Sequence, residues 1–210
     1  MHLPRRIFPT VHALAACAAQ AAEPPVEWVE PATGHRVVRL SREAGSASLY
    51  FHQNAYSADG RKLVMSTPGG LSTVNLETRE IEPVVAGRVG VLVTGRKTGQ
   101  VYYTRDGAIF ATDLDTRVTR EIAKVPPGAG RGNITVNADE TEIVGIAGDG
   151  DGNTVPRAAP PGESGGKLEA QWATGQPRMI YTVQIATGEM KTIHRENDWT
   201  NHLQIGRAHV

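Results

Sequence analysis

A turn that recurs at a regular interval is the feature that most constrains what this chain can fold into. Ala58, Thr98 and Ala138 lie in three such turns and are 40 residues apart. Each turn is followed by two strand-like runs, a second tight turn and a third run. A repeat of about 40 to 45 residues with four short strands is typical of a β-propeller blade. The spacing predicts an all-β fold, a β-propeller, of which this chain forms an incomplete arc of about four blades.

The runs between these turns support β-structure because apolar and polar residues alternate along them with a period of two. The chain has 23 glycines and 13 prolines, which suits many short strands joined by turns. A blade cannot bury both faces by itself, so neighbouring blades must cover one another. No helical pattern of useful length competes with this prediction. The strand-like runs are 63–66, 71–76, 80–85, 101–104, 108–114, 118–122, 142–145, 179–185 and 190–194.

The balance of charge gives no argument for a nucleic-acid or membrane partner. Lysine and arginine total 22, aspartate and glutamate total 22, and the formal net charge is zero. Nucleic acids and anionic membranes attract an excess of positive charge, so neither is expected as a partner. Cys17 is the one cysteine of the chain, which excludes an internal disulfide and a cysteine metal site.

Residues 1–22 have the features of an export signal. Two arginines precede a short apolar stretch at 7–16, and Ala19-Gln20-Ala21 supplies a small-x-small cleavage site. The residues before Cys17 also fit a bacterial lipoprotein signal, in which that cysteine carries a lipid anchor. The alternative is a disordered, alanine-rich start. The export reading predicts an exported or periplasmic protein.

An insertion rich in glycine and proline, Gly148–Gln176, interrupts the third repeat. Long irregular segments of this kind are either disordered surface loops or lids over a site. The residues leave both readings open.

A polar triplet inside an aromatic stretch is the first candidate site. His52, Gln53 and Asn54 follow Tyr50 and Phe51. On a strand that faces the channel of a propeller, the triplet would offer hydrogen-bond donors to the carboxylates and hydroxyls of a substrate. The alternative is that its side chains hold a blade-to-blade connection.

Arg178 and His202 are the other candidates. Arg178 begins the strand after the insertion, where it could clamp a carboxylate, although a solvated arginine at a strand end is the commoner case. His202 follows Trp199 and stands between Asn201 and Gln204. A lone histidine is more often structural than catalytic, so these residues by themselves leave its role open.

Several stretches of the sequence resemble oligogalacturonate lyases, the polysaccharide lyases that degrade short pectin fragments. The specific parts are the Tyr-Phe-His-Gln-Asn phrase at Tyr50–Asn54 and the Trp-x-x-His-x-Gln phrase at Trp199–Gln204. The resemblance extends over Trp28–Gln204. The matching stretches are Thr33–Ser41, Gly45–Val85, Gly95–Thr104, Thr135–Thr141 and Asn197–Gln204.

The resemblance implies a seven-bladed propeller with its active site in the central channel. It also implies β-elimination on a uronate, in which a base removes the C5 proton and the glycosidic oxygen leaves C4. Matched by motif, His202 is the base, and a histidine with a pKa near working pH suits that task. Arg178 is then the partner of the substrate carboxylate.

A manganese cofactor and an oligogalacturonide partner are further implications of the resemblance. The metal offsets the charge of the uronate carboxylate, which makes the C5 proton more acidic. In the family the metal ligands are histidines and a glutamine of later blades. We therefore expect no metal ligand in this chain, and we expect the fragment by itself to be inactive.

The last six residues, Ile205–Val210, match one reading frame of a common sequencing adapter, including a stop codon after Val210. We interpret them as a sequencing artefact. The expected organisation is therefore a signal at 1–22, the N-terminal part of a propeller lyase domain at 23–204, and unrelated residues at 205–210.

Two other readings of a propeller are open. One is a non-catalytic module that binds a sugar or a protein; it needs the turns, but neither the phrase at Tyr50–Asn54 nor that at Trp199–Gln204. The other is the propeller domain of a prolyl peptidase.

Overall fold

The computed structural model describes residues 26–129, 134–148 and 177–196, together with Thr200 and Leu203. The predicted signal, most of the insertion, His202 and the last six residues lie outside this part of the chain. Within it, no helix is long and apolar enough to cross a membrane. The strands are β1 (Glu27–Val29), β2 (Arg36–Val38), β3 (Ala47–Ser48), β4 (Lys62–Thr67), β5 (Gly70–Asn75), β6 (Ile81–Ala86), β7 (Gly90–Thr94), β8 (Gln100–Arg105), β9 (Ala108–Asp113), β10 (Thr119–Lys124), β11 (Ile134–Val136), β12 (Glu142–Gly148), β13 (Arg178–Gln184) and β14 (Met190–Glu196).

Three four-stranded sheets and one two-stranded sheet account for all of these strands. The first blade has the order β3-β4-β5-β6, the second β10-β9-β8-β7 and the third β11-β12-β13-β14. Every neighbouring pair is antiparallel, and the chain crosses each blade from one edge to the other. Strands β1 and β2 form a separate antiparallel pair. The prediction of an all-β, partial propeller is confirmed, with three complete blades in the described residues.

The recurring turn joins the first and second strands of every blade. In each case the first residue of the turn donates its N–H to the carbonyl oxygen five residues later. The matching residue in the second turn is therefore Arg96 rather than Thr98, so the intervals from 58 to 96 and from 96 to 138 are 38 and 42 residues. The three hydrogen bonds are Ser57 to Lys62 at 2.9 Å, Gly95 to Gln100 at 2.7 Å and Asn137 to Glu142 at 2.9 Å.

The tight turn between the third and fourth strands recurs in the same way. Asn75 and Asp113 each accept, through Oδ1, the N–H groups two and three residues later, at 2.8 to 3.0 Å. The turns end in residues of positive φ: Arg79 at 66°, Arg117 at 63° and Gly188 at 73°. In the first two blades, side-chain acceptors thus replace a missing backbone ladder where the strand reverses.

Two apolar layers lie between the blades. Strand β8 contributes to both, because neighbouring side chains of a strand point to opposite faces. Tyr103, which is 1% exposed, packs in the layer shared by the first and second blades. Tyr102, which is fully buried, packs in the layer shared by the second and third blades. Each blade is therefore stabilised by burial against its neighbours.

Candidate functional site

The innermost strand of the first blade is interrupted by a protruding loop. Ser48 pairs with Met65 on β4, and the carbonyl oxygen of Ala55 accepts the N–H of Val64 at 2.8 Å. Met65 and Val64 are consecutive, so residues 49–54 leave the sheet between two adjacent pairing positions. The predicted binding triplet lies in this loop and not on a regular strand.

Gln53 fixes the shape of the loop. Its N–H donates to the carbonyl oxygen of Tyr50 at 2.8 Å, and its Oε1 accepts the N–H of Tyr50 at 3.0 Å. Its Nε2 donates to the carbonyl oxygen of Val91 in the second blade at 2.8 Å. Gln53 therefore closes a tight turn and attaches that turn to the neighbouring blade.

Asn54 makes a second attachment between the two blades. Its Nδ2 donates to the carbonyl oxygens of Tyr56 and Thr94, each at 2.8 Å, which uses both amide hydrogens. The backbone carbonyl oxygen of Asn54 accepts the N–H of Thr94 at 2.8 Å. These bonds are those of a blade-to-blade connection, the alternative that the sequence left open. Substrate contact by Gln53 and Asn54 stays a prediction.

The turn presents aromatic side chains to solvent. Phe51 is 85% exposed and Tyr50 is 56% exposed. Their ring centroids are 4.5 Å apart with a tilt of 51°. The His52 ring stands edge-on to both, with centroids 5.0 Å from Tyr50 and 5.4 Å from Phe51. The loop therefore carries a compact aromatic surface, and His52 supports it at one side.

A buried carboxylate joins the second blade to the third. Glu140 is 8% exposed and accepts the N–H groups of Lys97 at 2.5 Å and Thr98 at 3.3 Å. Its Oε2 also accepts the hydroxyl groups of Thr98 and Tyr102, the latter at 3.2 Å. A Cβ atom on Gly95 would collide with this carboxylate. The absence of a side chain at position 95 makes room for the contact.

Sequence reasoning missed Glu140, although its position in the repeat indicates that its side chain makes a special contact. It occupies the place that Gly60 takes in the first turn, and both residues have positive φ, at 57° and 71°. A left-handed backbone is unfavourable for a residue with a Cβ. A glutamate where a repeat elsewhere has glycine therefore indicates that its side chain makes a compensating contact.

Arg178 lies on the third blade, at the first position of β13. It pairs with Gly148 on β12 and with Glu196 on β14. The Oε2 atom of Glu196 is 3.5 Å from His194 Nε2, and its buried Oε1 has no hydrogen-bond partner in the described part of the chain. The second blade separates Arg178 from the loop that contains His52, Gln53 and Asn54. His202, the predicted base, is outside the described residues.

A metal site does not emerge from the side chains that the structure describes. Among residues 26–129, 134–148 and 177–196, no three histidine, cysteine, aspartate or glutamate side chains cluster closely enough to hold an ion. Manganese would need several such oxygen or nitrogen ligands. The described donor set therefore does not fit a manganese centre.

Comparison with known proteins gives a consistent result. No family model matches the chain. It is 25% identical over 185 residues to an oligogalacturonide lyase of Pectobacterium atrosepticum and 26% identical over 191 residues to an oligogalacturonate lyase of Dickeya dadantii. Each match covers 83% of this chain and 46% of the relative. The chain thus spans about half the length of the curated relatives it matches.

Solved structures agree in fold. An oligogalacturonate lyase in complex with manganese is 25% identical, with a TM-score of 0.66, over 82% of this chain and 47% of that one. An oligogalacturonate lyase from Vibrio parahaemolyticus is 24% identical, with a TM-score of 0.67 over the same shares. The resemblance drawn from the sequence motifs is therefore confirmed: this chain is similar, in sequence and in fold, to about half of an oligogalacturonate lyase.

Proposed function

We propose that this chain is part of an oligogalacturonate lyase, a pectin-degrading enzyme that cleaves short oligogalacturonides by β-elimination. The supporting observation is that curated relatives and solved structures with that name align with more than four fifths of the chain. The match covers under half of those proteins, so the proposal concerns the longer protein to which the chain corresponds.

In the proposed reaction, His202 accepts the proton from C5 of a galacturonate ring. The electron pair of that C–H bond forms the C4–C5 double bond, the bond from C4 to the glycosidic oxygen breaks, and that oxygen takes a proton. Neutral imidazole is a suitable acceptor because its pKa lies close to neutral pH. A positioned base of this kind contributes about 10²–10⁴ in rate.

Arg178 is proposed to hold the carboxylate at C5. A guanidinium can donate two parallel hydrogen bonds to a carboxylate, which orients the ring and offsets charge as the C5 proton leaves. Position 178 begins β13, directly after the insertion, where a side chain can reach toward a ligand. Its backbone pairs with that of Glu196 on β14.

Manganese enters the proposal through one solved neighbour, an oligogalacturonate lyase in complex with manganese. The described residues of this chain do not fit a manganese centre. We therefore assign the metal to the longer protein, and the steps proposed for His202 and Arg178 involve no bond to it.

The test is near-ultraviolet absorbance of the 4,5-unsaturated product, measured with digalacturonate and added manganese. The longer protein should be active, and His202→Ala should lower its turnover by about 10²–10⁴ with a smaller effect on binding. His35→Ala, at an exposed histidine in the connection between β1 and β2, is the matched control and should keep full activity. The 210-residue chain alone should form no measurable product. Full activity of the His202→Ala protein, or product from the 210-residue chain, would contradict the assignment.

Export to the periplasm, with removal of residues 1–22 or lipidation of Cys17, is a further part of the proposal. It rests on the N-terminal sequence pattern. Intact mass of the protein recovered from the periplasm distinguishes a start near Ala22 from a lipidated Cys17. Uncut protein found only in the cytoplasm would refute export.

A further inference from the structure

We propose that Tyr50 and Phe51 form a stacking platform for a pyranose ring of an acidic oligosaccharide, a subsite that rests on and extends the proposed function. The starting observation is exposure. Phe51 is 85% exposed and Tyr50 is 56% exposed, and the two rings touch. Adjacent solvent-facing aromatic rings are unfavourable in water and are more often binding surfaces than structural ones.

The platform is held in place before any ligand arrives. The hydrogen bonds of Gln53 to Tyr50 and Val91 close the turn and tie it to the second blade. Leu49, at the start of the loop, is 8% exposed and packs in the apolar layer between the first two blades. A surface fixed in its binding conformation loses little conformational entropy when a ligand docks.

Its place in the fold also favours a ligand. The loop leaves β3, the innermost strand of its blade, which has a sheet partner on one side only. In the next two blades the innermost strands β7 and β11 lie beside each other. The blades therefore converge on their first strands, and the aromatic turn belongs to this inner side, where propellers bind ligands.

The chemistry fits a sugar ring. One face of a galactopyranuronate ring presents mainly C–H groups, while its hydroxyls and carboxylate lie around the rim. The C–H face can stack on an aromatic ring, whose face carries partial negative charge. The rim groups remain available to polar residues such as His52. Gln53 and Asn54 then support the turn, and the two aromatic residues make the contact.

The experiment is titration calorimetry of the 210-residue chain with trigalacturonate, which requires no turnover. Phe51→Ala should weaken binding roughly five- to tenfold, the usual effect of losing one stacking contact. Phe51→Leu should weaken it nearly as much, because it keeps apolar area without an aromatic face, whereas Phe51→Trp should bind at least as well as the original. Val118→Ala removes an apolar side chain that is 67% exposed on another turn, and it should leave the affinity unchanged.

Several results would overturn the platform. They are no binding by the unaltered chain, unchanged affinity of Phe51→Ala, full affinity of Phe51→Leu, or loss of binding in Val118→Ala.

Sedimentation of the unaltered chain and of Phe51→Ala tests the other occupant, a second copy of the chain. A dimer that Phe51→Ala dissociates would assign the surface to self-association. If the longer protein is an active lyase and its Phe51→Ala form has an unchanged KM, the platform fails while the function stands. If that protein is inactive but Phe51→Ala weakens sugar binding, the function fails while the platform stands.

Discussion

Asn54 and Thr94 exchange hydrogen bonds across the boundary between the first and second blades. The Nδ2 atom of Asn54 donates to the carbonyl oxygen of Thr94 at 2.8 Å, and the N–H of Thr94 donates to the carbonyl oxygen of Asn54 at 2.8 Å. The loop of the first blade is thus joined to strand β7 of the second blade without a continuous ladder. The bridging amide satisfies the carbonyl oxygen of Thr94, a fully buried residue that would otherwise lack this donor.

Asn54→Ala should lower the free energy of unfolding by about 1–3 kcal/mol, because two backbone carbonyl oxygens lose their donor. Asn54→Asp keeps the shape but points a carboxylate at the same carbonyl oxygens, so it should destabilise at least as much. Urea unfolding at neutral pH measures both. A midpoint of Asn54→Asp equal to that of the unaltered chain would show that the amide donors contribute nothing.

Glu140 and Gly95 should be energetically coupled. Glu140→Ala leaves two turn N–H groups without their acceptor and should cost about 2–3 kcal/mol. Glutamate and alanine both have a Cβ, so the cost of the positive φ at position 140 is the same before and after the substitution. Gly95→Ala should also destabilise, since its Cβ displaces the carboxylate.

The double variant tests this coupling. Without the carboxylate the three atoms nearest to the new Cβ at position 95 are gone, so the loss should be clearly smaller than the sum of the single losses. Strict additivity in denaturant unfolding would disprove the contact.

Tyr181→Phe should raise the free energy of unfolding by about 1 kcal/mol. The ring is fully buried, and its hydroxyl has no hydrogen-bond partner in the described residues, so the substitution removes an unsatisfied polar group. As a control at the same contact, Gly145→Ala should destabilise, because its Cβ would collide with the Tyr181 ring. Thermal unfolding of both variants measures the two effects, and a less stable Tyr181→Phe protein would contradict the first.

The same residue predicts a response to alkaline pH. Burial raises the pKa of Tyr181 to about 12, above the ordinary value of about 10 for tyrosine. Its protonated form is favoured by folding, so its contribution is fully present below about pH 10 and is lost as the pH rises through 12. Between neutral pH and pH 11, Tyr181→Phe should therefore lose less free energy of unfolding than the unaltered chain, as measured by urea unfolding. Parallel curves for the two proteins would contradict this.

Asp113 predicts a response to acid. The backbone N–H of Thr116 donates to its carboxylate and is the main cause that lowers the Asp113 pKa. A lowered pKa contributes stability above the ordinary value of about 3.9, and this stability is lost as the pH falls through the folded-state pKa. In Asp113→Asn that loss is removed, and Asn75 shows that an amide oxygen can close the same turn.

Urea midpoints at pH 7 and pH 3 provide the measurement. Between pH 7 and pH 3, the urea midpoint of the unaltered chain should fall further than that of Asp113→Asn. If the midpoints of both proteins fell by the same amount, the carboxylate charge would not stabilise this turn.

Residue patterns alone predicted the second, third and fourth strands of each blade, the recurring turns and the arrangement in blades, but not the short first strands β3, β7 and β11. These features depend on local physics: alternation sets which face of a strand is apolar, and turn residues set where the strand reverses. The motifs at Tyr50–Asn54 and Trp199–Gln204 also pointed to the lyases that the chain resembles. The insertion and the polar triplet remained ambiguous, since each pattern fits both a structural and a functional role.

Only the tertiary structure decided the partners of individual side chains. Gln53 bonds to Val91, 38 residues away, and Glu140 accepts from Lys97, 43 residues away. The register between blades determines such pairs, and no local pattern encodes it. Tyr102 and Tyr103 are adjacent and chemically identical, yet they enter different apolar layers. Alternation predicts that they separate, but which blade covers each ring depends on how whole sheets pack, because side chains acquire their neighbours only when distant segments meet.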